Sequence, residues 1–196
     1  MSVIGGLLLT GGASRRMGVD KAELLRTGER LVDRAARVLT EVCDPVLEVG
    51  PGRSSLPAVR EPTPGEGPLV ALVAGAAALA ARGASGPLLL LAVDLPFVES
   101  PLLAWLADRP GTGTVVPVAG GEPQPCCARY GPDAVATAAR LAATGVRSLR
   151  VLLAAGVVEL VAEEEWRTVA AATALDDVDT PDDVDRLGLS EPSRRE

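Results

Sequence analysis

Histidine is absent from this 196-residue chain. That removes Ser–His and Cys–His nucleophile pairs, imidazole general bases and His-ligated zinc in one step. Aromatic residues are nearly as scarce, at 2% against 47% hydrophobic residues overall, so leucine, valine and alanine must fill the core. The three cysteines, Cys43, Cys126 and Cys127, are odd in number and lack C-x-x-C spacing. Reduced thiols acting as core filler are expected. Long apolar runs are missing too. Val3–Leu9 is short and has no charged n-region, the 68–81 segment is too short for a membrane span, and the 87–98 run is broken by Asp94 and Pro96. The expectation is a soluble, cytoplasmic protein without a membrane partner. The formal charge of −7 argues against a nucleic-acid-binding surface.

What is present begins at residues 3–21, VIGGLLLTGGASRRMGVDK. A continuous apolar run of this kind reads as a strand buried on both faces of a parallel sheet. It breaks into Thr10-Gly11-Gly12-Ala13-Ser14, where adjacent glycines allow a sharp turn close to a ligand. Backbone N–H groups of that turn, with Arg15, Arg16 and Lys21 after it, make an anion site suited to a nucleoside triphosphate. It is not a Walker A loop: Gly12 and Gly18 enclose five residues, and Val19 stands where lysine is required. The dinucleotide fingerprint G-x-G-x-x-G is also absent from the turn.

The stretch resembles the signature L-x-G-G-x-S-x-R-M-G-x-D-K of the molybdenum cofactor guanylyltransferases. Leu9, Gly11, Gly12, Ser14, Arg16, Met17, Gly18, Asp20 and Lys21 match it, and Thr10 replaces the usual alanine. Further along, Gly67-Pro68-Leu69 resembles the family's G-P-L-A-G, with Val70 and Ala71 at the two following positions. The family aspartate upstream of that motif has no counterpart; Glu61 and Glu66 are the nearby acids. Val93-Asp94-Leu95-Pro96-Phe97 resembles C-D-x-P-F, and Gln124–Tyr130 resembles Q-P-L-x-A-x-Y, although a core strand explains the latter equally well. Arg147–Leu153 resembles R-S-L-R-x-L-L; its arginines suit either an acceptor phosphate or a solvated helix face. Asp177-Val178-Asp179-Thr180-Pro181 stands where the family has N-[IV]-N-T-P.

Between these motifs the pattern predicts an amphipathic helix over 31–40, a strand over 45–49, and a long Pro/Gly-rich loop over 51–67 suited to base recognition. An alanine-rich helix from Pro68 to about Ala81 and a strand over 87–93 follow, with Asp94 where that strand emerges. A carboxylate there is costly unless it is solvated, paired or metal-bound. A helix over 101–107 and a strand over 114–118 come next, then helices over 133–143 and 148–155 and a strand over 157–161. Thr180, Pro181 and Asp183 form a helix start. The expected fold is α/β, a three-layer sandwich around a Rossmann-like, mostly parallel sheet, as one nucleotidyltransferase domain over 1–189 with a frayed tail over 190–196.

The resemblance implies transfer of GMP from GTP to molybdopterin bearing molybdenum, with Mg²⁺ as cofactor and pyrophosphate as leaving group. It implies catalytic roles for Arg16, Lys21 and Asp94 and nucleotide contacts from Leu9, Thr10, Gly11, Gly12, Ser14, Lys21, Gly67 and Asp94. Asp94 would bind the metal, with Asp177 and Asp179 as candidate additional ligands. Transient contact with other cofactor-biosynthesis or molybdoenzyme-maturation proteins is a further expectation. Asp20 before Lys21 favours the guanylyl over the cytidylyl branch, whereas D-x-D-T-P at the far end points the other way. A nucleotide-binding regulatory protein without turnover is the non-enzyme alternative.

Overall fold

The computed structural model describes residues 4–11, 19–60 and 65–192. Strand β1 (Gly5–Leu9) opens the described chain. A single 3₁₀ turn at Lys21–Glu23 leads into a small hairpin, β2 (Leu25–Arg26) and β3 (Glu29–Arg30). Helix α1 (Leu31–Thr40), β4 (Val46–Val49), β5 (Ala58–Val59), α2 (Pro68–Ala80) and β6 (Leu88–Ala92) follow. Then come α3 (Ser100–Ala107), β7 (Thr114–Ala119), β8 (Glu122–Pro123), β9 (Cys127–Tyr130) and α4 (Pro132–Ala143). The chain closes with α5 (Leu149–Ala154), β10 (Val158–Val161), α6 (Glu163–Trp166) and α7 (Pro181–Arg186).

The main sheet runs β10-β7-β9-β6-β1-β4-β5, with β8 attached to β7. All neighbours along this path are parallel except β9, which runs against both β6 and β7. Alternation along the strands divides the core. Leu8, Leu89 and Leu91 point toward α1 and α3, while Leu7, Leu9, Leu88 and Leu90 point toward α2, α4 and α5. A strand sandwiched this way needs apolar residues at every position, which is why β1 and β6 read as unbroken runs. Helix α1 buries Leu31, Val32, Ala35, Ala36, Val38 and Leu39 on one side and carries Arg37 and Glu41 outward as an ion pair at 3.0 Å. Among the described residues no helix is long and apolar enough to cross a membrane.

Two expectations are corrected and one further element appears. The 51–67 segment is not loop throughout, because Ala58 and Val59 pair with Glu48 and Val49 as an edge strand. Leu25–Arg30 forms a hairpin around Thr27-Gly28, whose positive φ values of 50° and 85° suit its two-residue turn. The tail does not fray from Ser190, since that residue exchanges backbone hydrogen bonds of 2.8 and 2.9 Å with Leu25.

The scarce large side chains sit deep. Trp166 is fully buried and donates Nε1–H to Val118 O at 2.8 Å; Tyr130 is fully buried and donates to Pro125 O at 2.8 Å. Arg129, only 1% exposed, donates to the carbonyls of Gly113, Ala107 and Arg109 at 3.1, 3.2 and 2.5 Å. It fastens the 107–113 turn to β9, and burial lowers its pKa below the usual guanidinium value. Arg129→Met would leave those carbonyls without a donor and is expected to destabilise the protein by about 2–4 kcal/mol in denaturant unfolding. A change below about 0.5 kcal/mol, the range of neutral surface substitutions, would show that water replaces the guanidinium.

Candidate active site

The sheet order reverses at β1: the chain goes from β1 to β4 and β5 on one side, then returns to β6 on the other. Such a switch point opens a crevice at the carboxyl ends of the strands. Leu9 lies opposite Ala92 in the register, so Thr10-Gly11 and Val93-Asp94 leave the sheet side by side. The Val93 N–H donates to Leu9 O at 3.0 Å and the Thr10 N–H to Val49 O at 3.2 Å, which holds both exits against the sheet. Between them is a cleft of about 220 Å³ lined by Leu9, Thr10, Gly11, Asp20, Lys21, Pro68, Ala92, Val93, Asp94 and Cys126.

Lys21 reaches this cleft from the 3₁₀ turn, which begins where the Asp20 side chain accepts the Ala22 N–H at 3.0 Å. Its Nζ lies 2.6 Å from Asp179 Oδ1 and 3.4 Å from Asp94 Oδ2. Asp179 is brought in by the backbone, because the Val178 N–H donates to Asp94 O at 3.0 Å. Thr180 then caps α7 in a capping box with Asp183, the helix start expected from the sequence. Burial pulls the Lys21 pKa down, but the hydrogen bond to Asp179 and the charges of Asp94 and Asp179 outweigh it, so the net shift is upward. Burial pushes the Asp94 carboxyl up; the Lys21 charge only partly offsets this, and Asp179 adds to it. Asp177 shifts up as well, first from burial and then from Asp179. Negative charge is thus concentrated here beyond what one ammonium can neutralise.

Cys126 reaches the cleft wall, but burial, reinforced by Asp94, Asp177 and Asp179, pushes its thiol up to about 12. A protonated thiol is neither nucleophile nor metal ligand. Cys43 and Cys127 are buried and also pushed up to about 12.

Of the residues singled out in the sequence, Leu9, Thr10, Gly11, Lys21 and Asp94 share one cleft, and Gly67 stands beside its Pro68 wall. Gly67 has φ of 100°, a left-handed conformation that side chains rarely adopt, and a Cβ there would also meet Arg147 O at 3.0 Å, so the position favours glycine. Gly12, Ser14 and Arg16 lie outside the described residues. Arg147 pairs with Glu66 at 2.9 Å and Arg150 with Glu122 at 2.6 Å. Among the described residues no three Asp, Glu or Cys side chains converge as a metal cage. A larger cavity of about 410 Å³ opens at the amino ends of β7 and β10, beside Thr114, Gly131 and Val158, and has no Lys or Arg in its lining.

Sequence reasoning overlooked Glu48. This wholly buried carboxylate in β4 accepts hydrogen bonds from Thr10, Gly52, Arg53 and Ser54. The available signal was a lone acid inside the apolar run Val46-Leu47-Glu48-Val49.

Over residues 6–163 the chain matches the family model of the MobA-like NTP transferase domain. A probable molybdenum cofactor guanylyltransferase from Opitutus terrae is 41% identical over 184 residues, covering 85% of this chain and 89% of that protein. Molybdopterin-guanine dinucleotide biosynthesis protein A from Archaeoglobus fulgidus shares the fold with a TM-score of 0.75 at 24% identity, over 93% of this chain and 96% of that one. A manganese complex of the Mycobacterium tuberculosis protein Rv0371C shares it with a TM-score of 0.67 at 19% identity, over 95% and 98%. The family model spans most of the chain, and a relative matches along nearly its whole length: the chain belongs to the MobA-like NTP transferase family.

Proposed function

We propose that this protein is a molybdenum cofactor guanylyltransferase, moving GMP from GTP onto the terminal phosphate of molybdopterin and releasing pyrophosphate. The observation that carries the reading is Lys21 held between Asp94 and Asp179 at the switch point, beside the Thr10-Gly11 exit of β1. A cation and a carboxylate facing a phosphate-sized cleft suit a reaction made of alignment and charge neutralisation.

In this reading an oxygen of the acceptor phosphate attacks the α-phosphorus of GTP, forming one P–O bond as the α–β bridge breaks. The electron pair of the broken bond leaves on pyrophosphate. No protein nucleophile is needed, in keeping with the protonated Cys126 thiol. The backbone N–H of Gly11 binds a phosphate oxygen, while the Thr10 N–H stays on Val49 O and the Leu69 N–H at the start of α2 stays on Arg147 O. Lys21 neutralises charge on the departing pyrophosphate. Gly12 and Ser14 take phosphate contacts and Arg16 a second cationic role on the strength of the sequence pattern.

The donor set fits a divalent ion that arrives with the nucleotide. One cleft carboxylate raised by burial, without a protein cage, is how Mg²⁺ is commonly held, together with substrate phosphates and water. Asp94 would be that carboxylate, with Asp179 and Asp177 close enough to bias the site electrostatically. When bound, the ion supplies phosphoryl polarisation and stabilisation of the leaving group.

Thermal melting against GTP, CTP, ATP and UTP, each with and without Mg²⁺, tests the reading. A ligand at about 100 times its Kd stabilises the folded state by about 2.7 kcal/mol. The expected result is a shift for GTP that grows with Mg²⁺. A shift for CTP instead would move the chain to the cytidylyl branch, which Asp177 and Asp179 resemble. No shift with any nucleotide would overturn the assignment.

A further inference from the structure

Glu48 lies outside the cleft lining, is 0% exposed, and carries an unusual number of hydrogen bonds for a side chain with no assigned role. Its Oε1 accepts from Thr10 Oγ1–H at 2.5 Å and from the N–H groups of Gly52 and Arg53 at 2.9 and 2.7 Å. Its Oε2 accepts from the N–H and the hydroxyl of Ser54, both at 2.7 Å. Burial alone would push this carboxyl up, yet the bonds from Thr10, Arg53 and Ser54 outweigh it and hold the pKa below the ordinary glutamate value. Glu48 is therefore ionised, and its charge is dispersed onto two separate loops.

One of these loops lines the cleft and the other braces residues that do. Thr10 is in the cleft wall, and Gly50 is pressed so tightly onto Thr10 that a Cβ at Gly50 would sit 2.1 Å from Thr10 Oγ1. On the other side, the Arg53 guanidinium forms an ion pair with Asp20. Asp20 in turn accepts the Ala22 N–H and starts the 3₁₀ turn that presents Lys21. One buried carboxylate thus connects the turn after β1, the loop after β4 and the base of the cationic turn. A turn that needed only to be closed would be served by a neutral Asn or Ser at lower desolvation cost. An ionised carboxylate with all its lone pairs engaged gives rigidity in return, and here that rigidity falls on the Thr10-Gly11 turn of the proposed phosphate site and on Lys21.

We propose that Glu48 is a positioning residue for the nucleotide, acting through Thr10 on one side and through Arg53 and Asp20 on the other. The assignment rests on the reading of the cleft as a nucleotide site. Glu48→Gln keeps the shape, but either orientation of the amide turns an NH₂ toward two or three donors. The expected result is weakening of Mg²⁺–GTP binding by about 10–100-fold, the range found when a residue orienting a ligand group is lost. Arg53→Met, at a half-exposed position, should weaken binding in the same direction. In a double-mutant cycle it should add little once Glu48→Gln is present. Thr10→Val removes a single hydrogen bond at constant shape and carries the test should Glu48→Gln not fold.

A purely structural role would lower the melting temperature of these variants yet leave the nucleotide affinity of the folded protein unchanged. That outcome, with the unsubstituted protein binding GTP normally, overturns the assignment and leaves the proposed function standing. An unsubstituted protein that binds no nucleoside triphosphate overturns both.

Discussion

Asp94→Asn is expected to abolish nucleotidyl transfer, with a loss of about 10³-fold or more in kcat, while the protein stays folded. The carboxylate stands just past β6, where the strand delivers it to the cleft floor. Burial raises its pKa, and the nearby Asp179 adds to that rise. A raised carboxyl binds more protons in the folded than in the unfolded state across the window between the two pKa values. Stability therefore falls as pH climbs from the unfolded value, about 3.9, through the folded one. Ionisation of Asp94 is therefore a net cost to the fold, as expected of a carboxylate kept for the proposed reaction. The Asn variant is neutral at every pH, and Lys21 keeps its 2.6 Å contact with Asp179. In buffer free of divalent ions at pH 7 its melting temperature should equal or exceed that of the unsubstituted protein. Turnover within tenfold of normal in Mg²⁺ would sink the metal assignment. Inactivity accompanied by a collapse in melting temperature would make the residue structural.

This cleft was legible in part, for identifiable reasons. The unbroken apolar runs of β1 and β6 read as strands buried on both sides, and their shared exit edge followed once both were parallel. Asp94 stood out because a carboxylate ending such a run demands a reason. The start of α7 was equally readable, because Thr180, Pro181 and Asp183 make a cap from local chemistry alone. Glu48 was visible only as a lone acid in an apolar run, and its partners were not readable. Its partners in the Gly52–Ser54 loop are local, but Thr10 joins them only through the pairing of β1 with β4. The two-residue strand β5 escaped for a related reason: it exists because β4 offers it an edge, not because Ala58-Val59 has strong strand character. The resemblance of Gln124–Tyr130 to Q-P-L-x-A-x-Y left open whether that segment is cleft wall or core strand. In the fold, Cys126 reaches the cleft while Arg129 of the same segment is spent on the 107–113 carbonyls. Alternation along a strand assigns opposite fates to near neighbours, and a linear motif does not reveal which face is which until the sheet is assembled.

Lys21→Met should reduce kcat/KM by about 10²-fold, the cost of losing one preorganised charge aimed at the leaving group. Three elements converge on this ammonium: the Asp20 cap that starts its turn, the Asp94 floor and the Asp179 segment sutured to Asp94 by backbone. The Lys21 pKa is raised, so its ion pairs stabilise the fold fully below the unfolded lysine value and lose that contribution as pH climbs through the folded one. The contribution to stability is nevertheless small, about 1 kcal/mol or less, because Asp179 is 62% exposed and screened by solvent. Activity should therefore fall far more than stability. The substitution should also alter the pH profile. The Lys21 charge limits the rise of the Asp94 pKa, and removing it leaves burial and Asp179 to push the carboxyl higher. The acidic limb of kcat/KM is expected to move to higher pH in the methionine variant. Lys21→Arg should restore that limb, since the positive charge returns. It should not restore the rate, because a planar guanidinium cannot occupy the compact position between Asp94 and Asp179. An arginine variant with normal turnover would reduce Lys21 to a generic charge and remove the need for the specific geometry of its turn.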